Sequence, residues 1–109
     1  MGYSIEYFNE RVHAAIKAWP VGILADYARI VEMLMEFGPE LGMPFSRSMG
    51  DGLFELRPGG REGSGRALYC YMTGRRLVIL HTFVKKTGST PRKDLNIARR
   101  RLKEVRHDR

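Results

Sequence analysis

The chain has 109 residues, 43% of them hydrophobic, which suits one globular domain (residues 1–109) with a single modest core and argues against wholesale disorder. Its formal net charge is +7, and its one cysteine, Cys70, excludes an internal disulfide and any zinc site with two or more cysteine ligands. No apolar stretch approaches the roughly 20 residues of a membrane span, and residues 1–6 lack the basic start and apolar block of a secretory signal, so a cytoplasmic protein without membrane contact is expected.

"YSIEYF", residues 3–8, alternates and is rich in β-formers, so it predicts a strand. Asn9 caps a short helix that must stop near Trp19-Pro20, because proline disfavours a helical residue before it. A second helix runs over residues 23–37, with Ile23, Tyr27, Ile30 and Leu34 on its core stripe and Gly38-Pro39 at its end. The two helices are expected to form a hairpin over one sheet face. Residues 38–52 hold four glycines and two prolines and predict a loop.

Three strands follow, at residues 53–57 ("LFELR"), 66–72 ("RALYCYM") and 76–86 ("RLVILHTFVKK"). Between the first two, "PGGREGSG" predicts a mobile loop. Thr73-Gly74-Arg75 predicts a hairpin turn that pairs the last two strands antiparallel. In "ALYCYM", Cys70 reads as a buried strand thiol. Thr90 as cap and Pro91 as first helical residue open a final helix whose apolar stripe is Leu95, Ala98, Leu102 and Val105, with Arg99, Arg100 and Arg101 off it. The fold class is α+β, with an antiparallel-rich sheet, an N-terminal helical hairpin and a C-terminal basic helix.

The charge is uneven. Residues 1–56 carry −4 and residues 57–109 carry +11, a concentration of positive potential that favours a phosphate polyanion as partner. Strand parity places Glu55, Arg57, His81, Phe83 and Lys85 on one open face, and Phe54, Leu56, Val78, Leu80 and Val84 under the helices. Lys86 points the other way, and parity leaves Arg66 unplaced. Cations on that face suit a nucleic-acid backbone, with Phe83 or Tyr71 stacking on a base and Arg61, Arg75, Arg92 and Arg99 adding positive charge. The same groups suit metal-free RNA cleavage. Arg57, Arg66, Lys85 and Lys86 would stabilise phosphoryl charge at about 3–4 kcal/mol each, and His81 or Glu55 would accept the proton. Glu55 and Arg57 also read as a same-face ion pair, and His81 as a hydrogen-bonded structural histidine.

"GLFELRPGG", then "GRALYCY", then "VILHTFVKKTGSTPRKDLNIARRR" together resemble the phage-related, HigB-like branch of the RelE/ParE toxin superfamily. The resemblance implies a RelE-like fold and the toxin of a type II toxin–antitoxin pair, a metal-independent and cofactor-free endoribonuclease acting on ribosome-bound mRNA. It implies a helix-turn-helix antitoxin as partner, with operator DNA reached only through the antitoxin complex. The residues implied are Glu55, Arg57, Arg66, Phe83, Lys85 and Lys86. Many relatives use a tyrosine or histidine near the C-terminus, where this chain has His107. A ParE-like gyrase inhibitor and a non-enzymatic RNA-binding or corepressor domain are the alternatives.

Overall fold

The computed structural model describes residues 2–85 and 88–107. The chain opens in β1 (Ser4–Tyr7). The Asn9 side chain accepts from the Val12 N–H at 2.9 Å and starts α1 (Glu10–Lys17), which ends short of Pro20 as expected. α2 (Val21–Phe37) buries Ile23, Tyr27, Ile30 and Leu34 along the predicted stripe. It ends at Gly38, whose φ of 56° suits a residue without Cβ.

The expected loop at 38–52 is only partly a loop. After the 3-10 turn Gly38–Glu40, β2 (Ser46–Gly50) forms and folds back on β3 (Leu53–Leu56). The turn between them is Asp51-Gly52, with φ of 54° and 85°, the left-handed conformations a tight hairpin requires. "PGGREGSG" likewise contains strand: β4 (Gly59–Gly60) pairs back onto the start of β5 (Gly63–Met72). β6 (Arg76–Lys85) and α3 (Arg92–His107) complete the described chain.

The sheet runs β1-β6-β5-β3-β2, with β4 beside β5. β1 lies parallel to β6 and the other pairs are antiparallel. The architecture is thus α+β with a mixed sheet. The opening strand is as predicted, but the N-terminal helical hairpin is not shown: each helix makes its main contacts with the sheet, α1 with β6 and β1, α2 with β4 and β5.

Two cores result, one on each sheet face. Under α1 and α2 lie Trp19, Leu56, Ala67, Tyr69, Leu77 and Ile79. On the other face Leu53, Leu68, Cys70, Val78 and Leu80 of the sheet pack against Ala98 and Leu102 of α3. Burial pushes the Cys70 thiol up to about 11, as befits an inert core group. No helix among the described residues is long and apolar enough to cross a membrane.

The parity assignment is corrected at one point. Tyr69 pairs with Ile79 and Leu68 with His81, so Leu80 is an extra residue on β6, a β-bulge. Val78 and Leu80 therefore face α3, not α1 and α2, while His81, Phe83 and Lys85 keep the face of Glu55.

Candidate functional site

Cross-strand register builds the site. Arg47 pairs with Glu55, Glu55 with Leu68, and Leu68 with His81, so all four share the face on which α3 lies. One step along, Arg66 pairs with Phe83, and one further, Ser64 with Lys85. Since side chains two apart share a face, Arg66 joins Glu55, and its unplaced side chain is now located.

Glu55 is fully buried. Its Oε1 accepts from Arg57 Nη1 at 2.8 Å and Arg47 Nη2 at 3.3 Å, and Arg66 Nε lies 3.8 Å away. Its Oε2 accepts from the Thr90 hydroxyl. Thr90 is thus tied to the carboxylate, and α3 begins at Arg92, one residue later than a Thr90 cap with Pro91 as first helical residue predicts. Both oxygens of Glu55 are taken up as acceptors, which makes it an organiser of cations and leaves it poorly placed as a base.

Three arginines converge on one carboxylate, so positive charge is in excess. Arg66 donates from Nη1 to the Gly65 carbonyl at 2.7 Å, but its buried Nε has no hydrogen-bond partner among the described residues. Burial, then the Arg57 charge, pulls the Arg66 proton affinity below that of an ordinary arginine, with Glu55 opposing and Arg47 adding to the fall. Lys85 is lowered likewise, by burial first and then by Arg66, with Glu55 opposing and Arg57 and Arg47 contributing. A cluster in which cations depress one another is a cluster short of an anion.

His81 sits two strands from Glu55, about 10 Å away at the usual strand spacing. Its Nε2 lies 2.7 Å from Asp94 Oδ1, and its ring stacks on Phe83 at 6.0 Å. Asp94 belongs to the first turn of α3, so Thr90 and Asp94 bring the start of that helix across Glu55 and His81. Among the described residues no group of three or more His, Cys, Asp or Glu is placed to hold a metal.

The remaining sequence candidates divide. Arg61 lies exposed in the β4–β5 turn, next to the end of the ladder where Ser64 meets Lys85, and Arg92 is exposed at the start of α3. Tyr71 lies elsewhere: it faces α1 and α2, packed edge-on against Tyr3, Phe54 and Tyr69, so it cannot stack beside Phe83. Arg75 is in the β5–β6 turn at the far end of the strands, its guanidinium 5.3 Å above the Tyr3 ring. Arg99 donates to the Met49 and Gly50 carbonyls at 2.8 and 3.2 Å and ties α3 to the β2–β3 hairpin. Arg101 similarly donates to the Leu80 carbonyl at 2.7 Å. His13 stacks on Tyr7 at 4.1 Å. Lys86 lies outside the described residues.

Sequence reasoning missed Arg47. Asp51-Gly52 was its signal, because a tight turn there folds residues 46–50 back and sets Arg47 opposite Glu55.

A family profile described as phage derived protein Gp49-like (DUF891) matches residues 14–103, which include every residue of this cluster. The chain belongs to that family. The Gp49-like match spans α2, the whole β2–β6 ladder and most of α3, so cluster and family coincide in the chain. No curated protein matches it.

Proposed function

We propose that this protein is the toxin of a type II toxin–antitoxin pair, a HigB-like, metal-independent endoribonuclease that cuts messenger RNA on translating ribosomes. The observation that carries this reading is the excess of cations around Glu55, with the buried Arg66 Nε lacking a hydrogen-bond partner among the described residues. Membership of a phage-derived family supports a toxin-like or phage-related role.

In this reading the RNA phosphate enters between Arg57, Arg66 and Lys85, and Phe83 stacks on a neighbouring base. The 2′-oxygen attacks the adjacent phosphorus as its proton passes to a base, and the bond to the 5′-oxygen breaks, leaving a 2′,3′-cyclic phosphate and a 5′-hydroxyl. Asp94, bonded to His81 Nε2, favours the tautomer with its proton there and leaves Nδ1 as the acceptor. Lys85, which holds its proton less tightly than an ordinary lysine, donates to the leaving oxygen. The arginines stabilise the phosphoryl charge, each contributing about 3–4 kcal/mol. A helix-turn-helix antitoxin would neutralise the toxin, and operator DNA would be met only through that complex.

Primer extension on cellular mRNA after induction tests the proposal. Cuts inside translated codons are expected, and Lys85→Ala should lose them, about a hundredfold or more in rate. The commitment of Glu55 to Arg57, Arg47 and Thr90, and of His81 Nε2 to Asp94, favours one other reading, an RNA-binding domain that does not cut. Blocked translation with intact message would decide for it. DNA damage with intact message would instead indicate a gyrase inhibitor.

A further inference from the structure

We propose that Glu62 is a positioning residue for the cation cluster: with Asp26 it clips the glycine hairpin of residues 59–64 onto the start of α2 and so holds Arg61 and Ser64 beside Lys85. The inference rests on the reading that the cluster binds an RNA phosphate.

α2 begins without help from its own sequence. Pro20 at the cap position makes no side-chain hydrogen bond, and the first turn has no acidic residue. Its leading N–H groups need acceptors and favour negative charge. Glu62, forty residues on, supplies both, with Oε2 accepting from the Gly22 N–H at 3.4 Å. About one turn further along α2, Asp26 Oδ2 accepts from the Gly59 N–H at 2.9 Å, while Arg29 holds the other oxygen at 2.7 Å. Burial raises the Asp26 carboxyl, but the Gly59 and Arg29 contacts outweigh it and set it below the ordinary aspartate value.

The approach of hairpin to helix is close enough to exclude side chains. A Cβ on Gly60 would lie 2.9 Å from the Gly22 carbonyl carbon and 3.0 Å from the Ile23 nitrogen. A Cβ on Gly22 would lie 2.6 Å from Glu62 Oε1. Four of the seven residues 59–65 are glycine, a composition with a high entropic cost of ordering. Two carboxylates bonded to its surroundings offset that cost. The hairpin matters to the cluster through the ladder: Gly59 pairs with Ser64, and Ser64 with Lys85. Letting go of the tip loosens the strand partner of Lys85 and moves Arg61 from the rim.

The test uses the full chain and a fluorescein-labelled 2′-O-methyl RNA hexamer, which cannot be cleaved through its 2′-oxygen. Glu62→Ala and Gly22→Ala should each weaken binding about two- to fivefold, and the double variant no further than the worse single one. Gly22→Ala improves helix propensity, so lost binding there is not lost folding. Glu62→Gln, which retains an acceptor oxygen, should restore most of the affinity. Amide exchange at residues 59–64 should quicken in both alanine variants, and the Lys85 amine, by NMR, should titrate closer to an ordinary lysine as water reaches it. Faster exchange with unchanged affinity and unchanged Lys85 titration would overturn the positioning role. Unchanged exchange would overturn the clip itself. Failure of the wild-type protein to bind the hexamer overturns the RNA reading instead, leaving the clip to be judged on exchange and on Lys85.

Discussion

Glu55 has no exposed surface and two hydrogen-bonded oxygens, and its single charge is shared by Arg47, Arg57 and Arg66. Removing that charge would leave three guanidinium groups facing one another. Glu55→Gln is therefore expected to cost about 3–5 kcal/mol, the usual cost of breaking a buried ion pair from one side, read as a fall in the urea midpoint. Lys85 offers a pH test. Its protonated form is disfavoured in the fold, so it loses its charge at a pH below the ordinary lysine value of about 10.4. Affinity for an uncleavable RNA should fall as pH rises through that lowered point, and Lys85→Arg should retain affinity to higher pH. An affinity flat across the alkaline range would remove Lys85 from the site. At this scale the sequence was informative where one strand face was polar: Glu55, His81, Phe83 and Lys85 share a face as parity predicts. It was silent on Arg66, because both faces of its strand are apolar and alternation then carries no direction.

The helices were legible because their spacing and their ends agree. Asn9 caps α1, Gly38 stops α2, and Ala98 and Leu102 are buried in α3 on the predicted stripe. β2 was not legible, since "SRSMG" has neither β-branched residues nor apolar alternation. Its pairing with β3 follows from the Asp-Gly turn and from tertiary hydrogen bonding. The arginines of α3 show the limit of reading a helix as stripe and wet side. Arg99 and Arg101 lie off the stripe, yet each donates to a carbonyl in or beside the sheet and pins the helix in place. Arg99→Ala should destabilise the fold by about 1–2 kcal/mol, as expected for a charge-assisted hydrogen bond in a partly open setting. Equilibrium unfolding would measure it, and a neutral outcome would mean that the apolar stripe alone holds α3.

Across the whole molecule, the basic second half of the chain is not spread evenly. Lys85 and Arg61 lie toward one end of the sheet and Arg92 at the start of the helix that crosses the cluster, whereas Arg75 sits at the opposite turn, about 30 Å from Lys85 along the ten-residue strands. Salt dependence separates them. If RNA runs across the cluster, Lys85→Ala and Arg92→Ala should each lower the slope of log affinity against log salt by about 0.7, the value for one phosphate contact of a single strand. Arg75→Ala should leave that slope unchanged. Equal losses from all three variants would mean that binding follows net charge and has no defined track.

The extra residue on β6 works like a phase shift in a wave. Before Leu80, odd-numbered side chains such as Leu77 and Ile79 face α1 and α2; after it, odd-numbered ones such as His81 and Phe83 face α3. Reading frame on the strand and reading frame on the sheet are thus offset by one residue halfway along. A chain lacking Leu80 would lose an apolar group from beneath α3, yet would still present His81, Phe83 and Lys85 on the side of Glu55. A chain lacking Thr82 would turn Phe83 and Lys85 over to the other face, so two deletions of equal size, two positions apart, should differ entirely in what remains of the site.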